Sequence, residues 1–191
     1  MFARSGGVDG EGVVAAAAAA IDALAGFDPA GAPPGALLDT FVRLRGVRDR
    51  LDGVLARVAA VVDAQGEWRA DGSRSMAARV ARESGEPERP VRRDIWLARA
   101  LAEMPQTTEA FAAGRLGRGH VDVLAHAAGG ARAEVFARDE AFLVGLADQL
   151  DGVAYARALR EWELRADAVL APDPASLHLS LIHISEPTRP Y

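Results

Sequence analysis

The stretch 36–64, ALLDTFVRLRGVRDRLDGVLARVAAVVDA, is the longest unbroken element of the chain and decides its fold class. Its seam positions recur at alternating spacings of four and three residues, the heptad pattern of an α-helix that packs along one stripe. The seam consists of Leu37, Phe41, Leu44, Arg48, Leu51, Leu55, Val58 and Val62. The pattern predicts one long helix, whose seam faces either a second copy in a homodimer through residues 37–62 or the other helices of an intramolecular bundle.

The rest of the chain is divided by glycine and proline into further helical segments. We predict helices over 12–27, 90–104, 106–114, 117–129, 131–149 and Gly152–Leu170, and a short one that Ser73 caps and that ends near Gly85. In the helix Gly152–Leu170, the expected apolar face is Val153, Leu159, Trp162, Leu164 and Val169. No segment alternates apolar and polar residues as a strand would. The predicted fold is an all-α multi-helix bundle without a sheet, over residues 12–174, after a disordered N-terminus at 1–11 and before a tail at 175–191.

Composition limits the partners. The net charge of −5 argues against a general polyanion binder, so any contact with DNA must be weak and local. The chain has no cysteine, which fits a reducing cytoplasm, and no apolar run approaches the ~20 residues that a membrane span needs. We therefore expect a cytoplasmic protein without a membrane partner.

One segment is basic. Between Gly66 and Arg99, eight arginines stand against six acidic residues. Helical spacing places Arg89, Arg92, Trp96 and Arg99 on one face, which suits phosphate contacts around a stacking aromatic ring. The DNA-contact candidates are Arg74, Arg89, Arg92, Arg93, Trp96 and Arg99. The alternatives are a solvated arginine face with Trp96 buried in the bundle, or a helix-turn-helix over residues 73–101 with its break at Glu86-Pro87-Glu88.

A combined pattern over residues 35–170 resembles the actinobacterial family called domain of unknown function 222. The pattern consists of Trp68, Asp71-Gly72, Arg74-Ser75, Ala77, Leu97 to Leu101, Pro105, Phe111 to Leu116 and His120. The resemblance implies a helical module ahead of an HNH endonuclease domain, in which His and Asn residues hold a divalent metal. This chain departs from that arrangement, because it contains no Asn and no His cluster follows the helices. His120 and His126 are six residues apart, on opposite helix faces, so we predict no metal site and no catalytic residue.

The C-terminal stretch Leu179 to Tyr191, LSLIHISEPTRPY, departs from the residue usage of the rest. Back-translated, it resembles the end of a transposase-based sequencing adaptor, so we expect residues 179–191 to be artefactual and the natural frame to be cut near residue 178. The expected function is a truncated helical module of an HNH endonuclease-type protein, without catalytic activity or a cofactor of its own, that assists DNA association or self-association. The alternative is a protein-interaction or dimerisation bundle with no nucleic-acid role.

Overall fold

The computed structural model describes residues 10–171, which form eight α-helices and, over that range, no strand. They are α1 (Gly10–Ala25), α2 (Pro34–Gln65), α3 (Met76–Ser84), α4 (Glu88–Ala102), α5 (Pro105–Ala112), α6 (Arg118–Ala127), α7 (Ala133–Ala147) and α8 (Gly152–Leu170). The all-α prediction is confirmed, and every predicted helix is present. The predictions for the first nine residues and for the tail from residue 172 onward lie outside the described residues. None of the eight helices has the length and apolar character to cross a membrane.

The chain divides into two units, Met1–Leu44 and Arg45–Tyr191, with the boundary inside α2. In the first unit, α1 begins at Gly10, so residues 10 and 11 are helical and the predicted disordered segment is too long by these two residues. The Asp28 carboxylate accepts a hydrogen bond from the Ala30 N–H at 2.9 Å and starts a 3-10 turn at Pro29–Gly31. This Asx cap and the prolines around it end one helix and begin the next.

The core of the second unit lies among α4 to α8. It is built around Leu97, Phe111, Leu116, Leu124, Phe136, Leu143 and Tyr155, all of them buried. A smaller cluster joins α3 to the start of α4 and consists of Met76, Ala77, Ala81, Val91 and Ile95. Alanine fills many of the remaining positions, so the helices pack closely on small side chains.

The second unit buries the small residues of α2 instead of its heptad seam. Gly53 and Ala56 are the buried positions, and a Cβ atom placed on Gly53 would lie 3.3 Å from Phe111 Cδ1. The seam residues Leu51, Leu55 and Val58 are all exposed. Helix α2 is therefore part of the bundle, but close approach by a glycine and an alanine turns Leu51, Leu55 and Val58 outward. Of the seam, Val62 packs partly buried against the smaller cluster.

Helix α3 begins two residues later than predicted. Ser75, in an extended conformation, accepts a hydrogen bond from the Ala78 N–H at 3.0 Å and is the N-cap. The predicted cap, Ser73, instead donates its backbone N–H to the Asp71 carboxylate at 3.0 Å. Asp71 thus forms an Asx turn over Gly72, whose φ of 77° is in the left-handed region that glycine favours. The prediction of Ser73 as the cap is wrong because the turn before the helix takes that residue.

A buried carboxylate fixes the start of α5. Glu140 of α7 is only 3% exposed, and its Oε1 accepts a hydrogen bond from the Thr107 N–H at 2.8 Å. That N–H lies in the first turn of α5, where the backbone donors have no partner within the helix. The Oγ1 atom of Thr107 is buried without a hydrogen-bond partner in the described part of the chain. Glu140 therefore holds α5 through the backbone N–H and not through the hydroxyl.

We expect Glu140→Ala to lower the free energy of unfolding by about 1–3 kcal/mol, because it leaves the buried Thr107 N–H without an acceptor. Glu140→Gln keeps an acceptor oxygen and should lose less. Thr107→Val is the matched control, since it removes only the hydroxyl and should leave stability nearly unchanged. Urea unfolding followed by circular dichroism measures all three variants. A larger loss in Thr107→Val than in Glu140→Ala would contradict this assignment.

Candidate nucleic-acid interface

Helix α4 divides its residues between the core and the surface. Its apolar positions Val91, Ile95, Leu97, Ala98 and Leu101 are buried, which fixes the rotation of the helix about its axis. The other face carries Arg89, Arg92, Arg93, Trp96 and Arg99, all of them exposed. The packing of α4 therefore presents five of the six predicted DNA-contact residues on one surface.

These five residues line a single surface groove of about 830 Å³. Ser75, Met76 and Ala77 at the start of α3 and His126 near the end of α6 complete its lining, together with Ile95. Met76 and Ile95 are buried. We call the groove that all these residues line the α4 groove.

Trp96 is an accessible aromatic ring within the α4 groove. It is 38% exposed, so the interpretation that buries it in the bundle is wrong. The imidazole of His126 lies against it, with ring centroids 4.6 Å apart and planes tilted by 50°. His126 Nδ1 is 2.7 Å from the Asp122 carbonyl oxygen, so this nitrogen carries the proton and donates it. That hydrogen bond orients the imidazole beside the indole.

Three arginines of the α4 groove are held by carboxylates. Arg92 Nη2 donates to Glu88 Oε1 at 2.8 Å within α4. Arg93 Nη2 donates to Asp122 Oδ2 of α6 at 2.7 Å. Arg99 makes two parallel hydrogen bonds to Asp63 of α2, from Nε at 2.7 Å and from Nη2 at 2.9 Å. These pairs tie α4 to α6 and α2 and set the positions of the guanidinium groups.

The carboxylates of Glu88 and Asp63 carry charge at neutral pH. Hydrogen bonds from Arg92 and Arg74 hold the pKa of the Glu88 carboxyl below its ordinary value. The hydrogen bond from Arg99 likewise lowers the pKa of Asp63. The carboxylates therefore offset much of the positive charge in the groove. Because a guanidinium has five N–H donors, each paired arginine still has donors to offer a phosphate.

The two remaining predicted residues differ in their surroundings. Arg89 has no ion-pair partner among residues 10–171, so its charge is not offset by a neighbouring carboxylate. Arg74 precedes α3, pairs with Glu88 and does not line the groove. The structure thus brings Arg89, Arg92, Arg93, Trp96 and Arg99 together and places Arg74 behind them as a second partner of Glu88.

Sequence reasoning missed His126 and the start of α3 as parts of this surface. Helical spacing relates residues within α4 only, and it gives no indication that α6 lies beside Trp96. It also missed the carboxylate partners Asp63 and Asp122, which come from other helices. The excess of basic residues over Gly66 to Arg99 was the available signal, and it located one side of the groove.

The residues 10–171 include no group of three or more His, Asp or Glu side chains arranged to hold a metal ion. His120 is half-buried and meets the ring of Tyr155 edge-on, with centroids 5.0 Å apart. Burial raises the pKa of the Tyr155 hydroxyl, which donates to the Leu143 carbonyl oxygen at 3.3 Å. His120 therefore packs at the edge of the core.

The fold and the groove define an all-α helical domain with a basic, aromatic surface groove on α4. The chain belongs to the family described as "Domain of unknown function (DUF222)", whose model matches residues 38–176. The match confirms the family resemblance and covers α3 to α8 with nearly all of α2. No curated protein and no solved structure matches the chain.

The structure gives a physical reason for one motif that carries the resemblance. In Asp71-Gly72-Ser73-Arg74-Ser75, the first residue forms the Asx turn and the last caps α3. Hydrogen bonds from Ser73 and the ion pair with Arg82 lower the pKa of Asp71 to about 2. Arg74 joins this loop to the start of α4 through Glu88. The motif therefore sets α3 against α4 and so shapes one wall of the groove.

Proposed function

We propose that the helical domain is an accessory DNA-contacting module of an HNH endonuclease-type protein, and that the α4 groove makes the contact. The single observation that carries the DNA contact is that four arginines line the same groove as one exposed tryptophan. The association with an HNH nuclease is what the family resemblance implies, and catalysis is assigned to that nuclease domain. We propose no catalytic role for the helical domain itself.

The chemistry of the groove supports phosphate binding. Arg89 offers an uncompensated charge, and Arg92, Arg93 and Arg99 offer N–H donors whose positions are already fixed by ion pairs. Fixed guanidinium groups lose less side-chain entropy when they bind an oxyanion. Trp96 adds a flat apolar surface among these charges.

The same ion pairs limit the affinity. Glu88, Asp122 and Asp63 lie against the groove arginines, and the net charge of −5 opposes the approach of a polyanion. A domain of this kind suits a module that adds contact to a separate nuclease more than it suits an autonomous DNA-binding protein. We therefore expect weak binding that is clearest at low ionic strength.

The double variant Arg92→Ala, Arg93→Ala should bind a short DNA probe at least several-fold more weakly. Since each lost phosphate contact reduces counterion release, the slope of log affinity against log salt should fall by about 1 to 2. Fluorescence anisotropy of a labelled oligonucleotide between low and moderate salt measures both quantities.

The matched control is Arg157→Ala, Arg165→Ala, which removes two exposed arginines of α8 that do not line the groove. This control should retain at least half of the wild-type affinity. An equal loss in both double variants would show that net charge and not the groove governs binding. No binding by the wild-type chain at low salt would overturn the proposed function.

Removing the acidic partner of the groove should act in the opposite direction. Glu88→Gln frees Arg92 and Arg74 from a charged partner, so we expect DNA affinity to rise about twofold to tenfold in the same assay. Glu83→Gln is the control, because Glu83 pairs with Arg79 on α3, outside the groove. A fall in affinity for Glu88→Gln, with the thermal melting temperature unchanged, would contradict the role given to these arginines.

The exposed face of α2 supports a second candidate, self-association without a nucleic-acid role. In the second unit this face carries Leu51, Val54, Leu55, Val58 and Val61, which we call the α2 row. The spacing of three and four residues matches the contact stripe of a two-stranded coiled coil. A contiguous exposed apolar stripe of this kind is unusual on a monomer and marks an interaction surface. A second copy of the chain would supply the matching stripe.

We expect the wild-type chain to be a dimer and the double variant Leu51→Glu, Val58→Glu to be a monomer, because the variant places charge in the apolar stripe. Sedimentation velocity at micromolar concentrations measures the change. The control Phe142→Glu, Val153→Glu adds the same charge at two exposed apolar positions of α7 and α8 and should leave the dimer intact. A wild-type chain that sediments as a monomer throughout would remove the second candidate.

A further inference from the structure

We infer that the α4 groove takes single-stranded DNA, with one unpaired base stacked on Trp96, and that it discriminates against duplex. This inference rests on the proposed function and adds to it the structural class of DNA that the groove accepts.

The position of Trp96 within the groove is the first reason. Arginines lie on both sides of Trp96 along α4. Arg92 and Arg93 are one turn before it, and Arg99 is one turn after it. From Arg89 to Arg99 the helix rises about 15 Å, at 1.5 Å per residue. A strand of stacked nucleotides advances about 3.4 Å along its axis per phosphate, so this length accommodates a few consecutive nucleotides. One strand can then place phosphates on the arginines and a base on the indole between them.

The accessible face of the indole is the second reason. His126 lies against one side of the ring, at a centroid distance of 4.6 Å, and Trp96 as a residue is 38% exposed. The imidazole is tilted by 50° from the indole plane, so a stacked base would use the indole surface that His126 leaves open. Such stacking requires a base whose flat face is free, which only an unpaired nucleotide offers. Paired bases in a duplex present their edges to a protein.

The shape and charge of the surrounding surface are the third reason. Duplex readout by a helix needs an element that projects into the major groove. Helix α4 instead lines a concave surface between the start of α3 and the end of α6. The connection from α3 to α4 also exposes Glu86, next to the paired Glu88, where a helix-turn-helix would meet the phosphate backbone. A narrow single strand fits this concavity, whereas the acidic α3–α4 connection disfavours contact with the phosphate backbone of a duplex.

Binding to a labelled oligothymidylate and to a blunt-ended duplex of two complementary strands, with equal total nucleotide count, tests the inference at one low salt concentration. We expect the wild-type chain to bind the single strand at least fivefold more tightly. Trp96→Ala should weaken single-strand binding by about 5- to 100-fold, the range expected for loss of one base–aromatic stack, and should change duplex binding little. Trp96→Phe should restore most of the affinity. Phe142→Ala, which removes an exposed ring from α7, is the control and should have no effect.

Photocrosslinking tests the same contact without any substitution. An oligothymidylate that carries 5-iododeoxyuridine should crosslink, on irradiation of the wild-type chain, to the tryptic peptide 94–99, in which Trp96 is the only aromatic residue. The other tryptophans, Trp68 and Trp162, lie on different tryptic peptides. A crosslink to either of these and not to 94–99 would overturn the inference.

The outcomes separate the inference from the proposed function on which it rests. If duplex binds as tightly as single strand and Trp96→Ala has no effect, while Arg92→Ala, Arg93→Ala still weakens binding, base stacking is wrong and the DNA-contacting groove stands. If neither probe binds at low salt, both fail.

Discussion

The close packing of α2 on the ring of Phe111 is the constraint on which the arrangement of the second unit depends. Gly53 leaves only 3.3 Å between the position of a Cβ atom and Phe111 Cδ1, so the helix is fixed in rotation as well as in distance. One consequence is that the larger apolar residues of α2 point away from the core. Another is that Asp63, near the end of the same helix, reaches Arg99 on α4. One small residue thereby determines both the exposed α2 row and one edge of the α4 groove.

The ion pairs around α4 have opposing effects on its surface. Pairing with Glu88, Asp122 and Asp63 holds three guanidinium groups in place, and two of these pairs connect different helices. Arg93 and Arg99 therefore join helices, a role that the sequence did not predict. This role does not remove the binding interpretation, because a guanidinium bonded to one carboxylate retains donors that point elsewhere. The balance produces an ordered surface with little excess charge, which is what weak and local contact requires.

The sequence predicts the helices well and their buried faces less well. Glycine and proline mark the helix ends, and Asp151 caps α8 with hydrogen bonds to Val153 N and Ala154 N at 3.0 and 2.8 Å, so the bounds of that helix agree with the prediction. Its predicted apolar face is wrong at Val153, Leu164 and Val169, which are exposed.

The buried face of α8 instead uses Tyr155, Leu159 and Ala166. In a core rich in alanine, the small residues that permit close packing do not stand out as hydrophobic, so size and not hydropathy decides which face is buried. The same reason accounts for α2, where Gly53 and Ala56 are buried and the heptad leucines are not. The α4 groove shows what sequence spacing cannot predict. Spacing within α4 places Arg92, Trp96 and Arg99 together, whereas the neighbours that shape the site come from α2, α3 and α6 through tertiary packing.

The α2 row and the α4 groove are separate surfaces that could both be occupied. Asp63 of α2 pairs with Arg99 of the groove, whereas the row consists of exposed residues outside the core. Self-association through the row would give an assembly two grooves instead of one. When two weak sites engage one DNA strand, the second contact becomes intramolecular, and the overall affinity can rise by about 10² to 10⁴ without any new interaction. A groove whose charge is largely offset by carboxylates would gain most from such pairing, since each site alone releases few counterions. Under the two proposals together, the row would supply the second site that a weak groove needs.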